Sequence, residues 1–321
     1  MGFEGILKRL LDYGSLAPSI YNSQPWKFSM DAARGVIGLY PDPEKGPRGR
    51  ELFMALGACL EHILIAAPAM GYEAVTVVMP RGEEGPAALL RLKPLPEAAP
   101  ESLFSTLLTR QSHAGKYLEE AVSEVQLDRL RGILTASSAE KIHLLTDSRQ
   151  RQELVGYLHD LSHEFAALYA PEVAGWLRTE SEPPEGVPLE VLGLPISSRW
   201  RFKLLSPFGY SREILEAARQ AILRQGHGIE APAYLLMTIP QPGPRGYLEA
   251  GRSAARILLT LSEIELASQT LTLPLGTREG HERLREIFSS GPGVEPVLLL
   301  RLGKPAHKSW PRTFRRPLED S

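Results

Sequence analysis

The stretch LAPSIYNSQPWKF, residues 16–28, sets Pro18, Ser19, Asn22, Gln24, Pro25 and Trp26 in one short loop. Ahead of it Ile6, Leu7, Leu10 and Leu11 recur at helical spacing, which predicts an amphipathic helix over 3–15. Behind it Trp26 and Phe28 alternate as in a strand. So many turn formers and amides between two regular elements have two readings. Their side chains can satisfy the loop's own backbone, or they can form one wall of a binding site carried on a scaffold.

The surrounding chain has 321 residues, 43% hydrophobic and 23% charged, with a net charge of −2. That length supports two core-bearing units, and the charge offers no general attraction for nucleic acid or an anionic membrane. The single cysteine, Cys59, rules out a disulfide framework and points to a reducing, cytoplasmic setting. Its place on an apolar helix face makes it a packing residue. The first residues alternate charge and apolar side chains, unlike a signal peptide. No apolar run reaches roughly 18 residues, so no membrane-spanning helix is expected.

From Glu51 to Met70 apolar residues recur with helical periodicity, and Gly71 stands where a helix commonly ends. AVTVVMP and ALLRLKPLP follow as strands. This order returns later. YLEAGRSAARILLTLSEIEL (247–266) is a second long apolar helix, followed by TLTLPL, the short helix HERLREIF and the strand PVLLLRLGKP. Set over one another at an offset of 194, residues 57–72 and 251–266 align a glycine and an Ile-Leu pair. LLRLKP and LLRLGKP echo each other as well. A repeated helix–strand–strand order argues for duplication of one α+β unit. The boundary falls in the Pro- and Glu-rich 93–102, giving a first half of 1–98 and a second of 99–321. In the second half Ser123 and Gln126 form a capping-box pattern, and Asp147 is the N-cap of a long helix. The irregular segment 181–211, with five prolines and the aromatics Trp200, Phe202 and Phe208, has the length of a lid.

Familiar catalytic motifs are missing. GRSAA (251–255) lacks the last glycine of a nucleophile elbow and sits in a helix. No GxGxxG or Walker sequence occurs. His159 and His163 are spaced i, i+4, but Asp160 stands where HExxH requires Glu and no third ligand is apparent, so they read as structural and no metal is expected. Two further stretches carry anion chemistry: TRQSHAGKY (109–117), with Arg110, Ser112 and Lys116, and the tail SWPRTFRRPLED, with Arg312, Arg315 and Arg316. Guanidinium forks and a hydroxyl together could clamp a phosphate.

The run Ala17–Trp26 resembles the APS-x-x-N-x-QPW loop of the nitroreductase family of FMN-dependent oxidoreductases, and 110–117 is similar to that family's R-x-S-x-R phosphate motif. The first half has the loop without the Arg–Ser motif; the second has the motif without the loop. The resemblance thus implies an α+β fold of two tandem nitroreductase-like α/β/α units, with mixed, mainly antiparallel sheets flanked by helices. These would form a pseudo-dimer with one flavin site, as in the internally duplicated Acg-like branch. Carried over, Pro18, Ser19 and Ile20 border the isoalloxazine ring and Asn22 holds the loop or reaches the flavin. Arg110, Ser112 and Lys116 take ribityl and phosphate, with Arg315 and Arg316 on the phosphate from the tail. Leu271, Thr272 and Leu273 pass the N5 edge, where a backbone amide can donate. Two departures stand out: Ala114 replaces the second motif arginine, and Glu265 the glycine that follows the late helix.

The implied activity is FMN-dependent oxidation of NAD(P)H with ping-pong reduction of a nitro, quinone or related small-molecule acceptor, and no catalytic side chain is required because the cofactor carries the chemistry. A flavin-binding or flavin-sequestering protein, its flavin covered by the lid, is the alternative; a cofactor-free scaffold, suggested by Ala114, is a third. Fusion makes a monomer sufficient and leaves further homo-dimerisation open.

Overall fold

The computed structural model describes residues 2–95, 97, 99–134, 139–180, 182–192, 200, 211–307 and 310–318. Most of the lid-like segment expected over 181–211, including Phe202 and Phe208, lies outside the described residues, as does part of the second half's counterpart to the opening loop at 135–138. Trp200 is described and is 71% exposed.

In chain order the elements are α1 (Phe3–Ser15), β1 (Trp26–Asp31), β2 (Val36–Pro41), α2 (Arg50–Ala69), β3 (Tyr72–Val78), β4 (Pro80–Glu83), β5 (Ala88–Pro94), α3 (Glu124–Arg131), β6 (Lys141–Leu145), α4 (Ser148–Trp176), β7 (Leu177–Arg178), β8 (Val187–Pro188), α5 (Ser211–Leu223), β9 (Ala233–Ile239), α6 (Pro244–Glu263), β10 (Ala267–Thr270), α7 (Arg278–Ile287) and β11 (Glu295–Gly303). This is an α+β chain. By contacts it forms two compact units, one of 1–110, 241–263 and 315–321, the other of 111–240 and 264–314. The contact grouping is therefore not collinear with the sequence halves 1–98 and 99–321.

In the first unit an antiparallel sheet runs in the order β1-β2-β5-β3. The period of α1 puts Leu7, Leu10 and Leu11 into the core. The helix α2 is buried on most of its surface and packs beneath the sheet with Leu56, Leu60 and Ile63. Gly71 follows it with φ +80, a left-handed stop that costs glycine nothing. By length and mean composition α2 is apolar enough to cross a membrane, although Glu61 and His62 interrupt its apolar run; here it is core, mostly buried. Its partner is α6. A Cβ at Gly57 would collide with the Leu248 carbonyl, and one at Gly251 with the Met54 carbonyl. Both pairs, Gly57 with Gly251 and Met54 with Leu248, are 194 residues apart, so the crossing is reciprocal, as in a two-fold interface. Buried Glu61 on α2 meets Arg252 at 2.7 Å and Arg256 at 2.5 Å on α6, and Arg256 also reaches Glu101 at 3.1 Å.

In the second unit the order is β6-β9-β11-β10, again antiparallel. All seven residues of the central strand β9 are buried. Ser123 and Gln126 form the expected capping box on α3, and Asp147 caps α4. Matched strand for strand, the two sheets share one order, with the long helix between the second and third strands in each: α2 between β2 and β3, α6 between β9 and β10. The repeat visible in the sequence is thus also a repeat of topology.

Candidate functional site

The opening loop is folded tightly on itself. Tyr21 (φ 52), Asn22 (φ 55) and Gln24 (φ 49) take the left-handed conformation, half of the six non-glycine residues that do so among those described. Each such residue costs on the order of 1–3 kcal/mol and persists only where its surroundings impose it. Here the surroundings are hydrogen bonds. The Gln24 N–H donates to Ser19 Oγ at 3.0 Å, and Gln24 Nε2 to the Asn22 carbonyl at 3.3 Å. The Trp26 N–H donates to the Gln24 carbonyl at 2.8 Å. Asn22, Ser23, Gln24 and Trp26 are buried, while Pro18, Ser19, Ile20 and Tyr21 form a half-buried tip. The buried amides are scaffold, and the tip is what the loop presents.

The tail locks this shape. Arg315 Nη1 donates to Asn22 Oδ1 at 2.9 Å, and its Nη2 to the carbonyls of Leu16 (3.1 Å) and Ala17 (3.4 Å). The Arg316 N–H donates to Gln24 Oε1 at 2.9 Å, and Arg316 Nη2 to the Gln24 carbonyl at 2.7 Å. Both arginines therefore hold the loop, a use the motif did not suggest, and Asn22 takes the first of its two expected roles by holding it as well. Burial, and then the charge of Arg110, pull the Arg315 guanidinium down to about 9, so it remains a cation at neutral pH. Arg110 and Arg315 thus lie close enough to repel. His62 of α2 feels both: burial first, then Arg110, with a smaller contribution from Arg315, pushes it down to about 3. Its Nδ1 lies 3.3 Å from the Tyr13 carbonyl, which assigns that proton. His62 Nε2, Ser15 Oγ, Ser23 Oγ and Arg316 Nε are buried without a protein hydrogen-bond partner among the described residues. Polar atoms in that state mark places for water or ligand.

In the second unit, Ser112 and Lys116 are exposed on a turn fixed around His113. The Gly115 N–H donates to His113 Nδ1 at 3.2 Å, so His113 Nε2 carries the proton donated to the His307 carbonyl at 3.1 Å. Burial keeps that imidazole neutral by lowering its pKa. Trp310 packs against His113 with ring centroids 4.6 Å apart and the planes tilted by 38°, and a Cβ at Gly115 would strike that indole, which explains the glycine. Arg301, 1% exposed, braces the turn from β11 through the Gly115 carbonyl at 2.9 Å and lies over the Tyr117 ring. Leu271 and Leu273 are buried; Thr272 is half-buried. The Leu271 N–H donates to the Leu299 carbonyl at 2.9 Å, and the Thr272 N–H to Gln225 Oε1 at 3.0 Å. Gln225, which no motif marks, therefore positions this segment. Glu265, in the glycine place, keeps the left-handed conformation with φ 58.

No protein-family model matches the chain. Two proteins of Mycobacterium tuberculosis, of strains CDC 1551/Oshkosh and ATCC 25618/H37Rv, each described as a "Putative NAD(P)H nitroreductase", are 23% identical to it over 316 residues, spanning 92% of this chain and 84% of theirs. The resemblance carried by Ala17–Trp26 therefore extends over nearly the whole chain. Among solved structures, an FMN- and NADPH-dependent nitroreductase from sphigopyxis sp. strain HMH superposes at a TM-score of 0.44 and 18% identity, covering 68% of this chain and 97% of that one. A nitroreductase with bound FMN from Desulfitobacterium hafniense DCB-2 gives 0.39 and 14%, covering 69% and 96%. Both superpositions are partial.

Proposed function

We propose that this protein is an FMN-dependent oxidoreductase that takes electrons from NAD(P)H and passes them to a small-molecule acceptor of the nitro or quinone class. The observation that carries the reading is the strained loop Ala17–Trp26, held in a left-handed shape by buried amides and by Arg315, on which the charge of Arg110 also acts. A phosphate monoester dianion suits two guanidinium groups that repel each other, because it neutralises both while accepting charge-assisted hydrogen bonds. The residues present fit FMN in that respect.

On this reading Pro18, Ser19 and Ile20 border the flavin ring from the loop tip, and Asn22 acts behind them as the link to Arg315. Arg110, Ser112 and Lys116 take the phosphate and ribityl chain, with Lys116 standing in for the arginine that Ala114 replaces. Arg315 and Arg316 add positive charge while bracing the loop. Leu271–Leu273 serve the edge of the ring through backbone, with Gln225 fixing their orientation. When bound, FMN supplies the two-electron chemistry, so no side chain need transfer a proton.

Purified protein should be yellow, with the absorption bands of a flavin, and should bleach under anaerobic NAD(P)H. Colourless protein that takes up no added FMN would exclude the proposal. A bound flavin left oxidised by NAD(P)H would reduce it to flavin binding without turnover. Arg110→Ala should weaken FMN binding about tenfold to a hundredfold, the equivalent of about 1.5–3 kcal/mol for a charged hydrogen bond. An unchanged FMN affinity would move the phosphate elsewhere.

A further inference from the structure

Away from these residues, three histidines converge. His159 and His163 lie one turn apart on α4, and His227 comes from the turn between α5 and β9. One ring nitrogen from each of the three lies within 4.8 Å of the others, and His163 Nε2 and His227 Nε2 are 2.9 Å apart. The turn that delivers His227 is pinned. Gly226 lies so close to α4 that a Cβ there would meet Ser162 and the Leu158 carbonyl, and the Gly228 carbonyl accepts from Arg301 Nη1 at 2.9 Å. The meeting is therefore built into the backbone.

We propose that His159, His163 and His227 bind a first-row divalent cation, Zn2+ in the first place, as a structural clamp between α4 and the 225–228 turn. Imidazole nitrogen is the ligand such ions favour, and Zn–N bonds are about 2.0–2.1 Å. Two nitrogens bound to one zinc stand about 3.3–3.4 Å apart at the tetrahedral angle and about 2.9 Å apart at a right angle, from those bond lengths. The 2.9 Å separation of His163 and His227 already falls at the short end of this range, and the partly exposed rings need turn only slightly to widen it. The His159 Nδ1 lies 3.2 Å from Asp160 Oδ1, so that proton goes to the carboxylate and the Nε2 lone pair is left for the metal. A carboxylate on the outer nitrogen is the usual support for a metal-bound imidazole. Three protein ligands leave a fourth position to water. Asp160, the residue that breaks the resemblance to HExxH, acts here behind the ligand.

The clamp reaches further through Gln225, two residues before His227, which holds the Thr272 amide. A cation on the three histidines would stiffen that contact without entering any chemistry at Thr272.

The competing arrangement is a plain hydrogen bond between neutral His163 and His227. Untagged, metal-stripped full-length protein, titrated with Zn2+ against a chromophoric chelator, separates the two. The expected result is one equivalent bound, with His227→Ala and His163→Ala each weakening binding at least tenfold, and Co2+ giving a visible band that His227→Ala abolishes. Zn2+ should also raise the melting temperature of the native protein and not that of His227→Ala. His227→Gln, which keeps a hydrogen-bonding side chain, guards against a folding defect: it should melt like the metal-free native protein and still bind no Zn2+. Failure of the native protein to retain Zn2+ against the chelator, or equal retention by His227→Ala, overturns the proposal in favour of the hydrogen-bonded pair.

Discussion

The helices α2 and α6 are the same element twice, and they differ in one instructive way. Both are twenty residues long, follow the second strand of their sheet, and approach through Gly57 and Gly251 on reciprocal carbonyls. Yet at an offset of 194 the positions matching Glu61 and His62 hold Ala255 and Arg256. In a pair of identical chains, each residue on the two-fold contact meets its own copy or a fixed partner on both sides. A single chain escapes that constraint. One copy can carry the carboxylate and the other the guanidinium groups, and Glu61 between Arg252 and Arg256 is that outcome. The backbone contact is shared by both copies; the charge pattern is not.

The largest effect should come from the shared feature. Gly57→Val and Gly251→Val each force a side chain into the opposing backbone and should cost more than about 4 kcal/mol, enough to abolish folding. Soluble yield and thermal melting test this, and if one glycine tolerates the change the reciprocity fails. Next comes the feature that differs. Glu61→Gln removes the charge that two arginines face and should cost up to about 3 kcal/mol, moderated because the Arg252 and Arg256 side chains are 32% and 36% exposed and can rehydrate. A chemical-denaturation cycle with Arg256→Gln should show coupling; strict additivity would deny the bridge.

His62 supplies a pH signature absent from α6. Its folded value, about 3, lies below the ordinary one, so the unfolded chain takes up a proton that the folded chain refuses. Its contribution to stability is full above about pH 6.5 and drains as pH falls toward 3, at up to about 1.4 kcal/mol per pH unit. Unfolding free energies between pH 7 and 4 should lose that part of their slope in His62→Gln; an identical slope would deny the burial of a neutral imidazole. The smallest effect lies at the helix ends. Gly71 and Glu265, again 194 apart, are both left-handed. Glu265→Gly should therefore stabilise by about 1 kcal/mol, read as a rise in melting temperature.

Much of this is legible in the chain itself. The apolar periods of α1, α2 and α6, the caps at Ser123 and Asp147, and the two aligned glycines are local signals. Motif spacing also marks the loop at 16–28 as more than punctuation. What escapes is non-local. The strand β9 reads as an undifferentiated apolar run because both its faces are buried. His227 lies 64 residues beyond His163, across an irregular segment that has no periodicity to follow. The sequence offers only the phosphate role for Arg315 and Arg316, because a basic tail carries no trace of the carbonyls it also meets. Gln225 is an ordinary glutamine until Thr272 is placed against it.

The reciprocal glycines also constrain how the protein is made. On the ribosome Gly57 emerges 194 residues before Gly251, the partner that fills its notch. At about 5–20 residues per second, α2 waits roughly 10–40 s with the side that meets α6 uncovered. The first unit, which includes 1–110, is complete only when 241–263 and then 315–321 have been synthesised. A nascent chain of this design leaves that side of α2 open until residues 241–263 are translated.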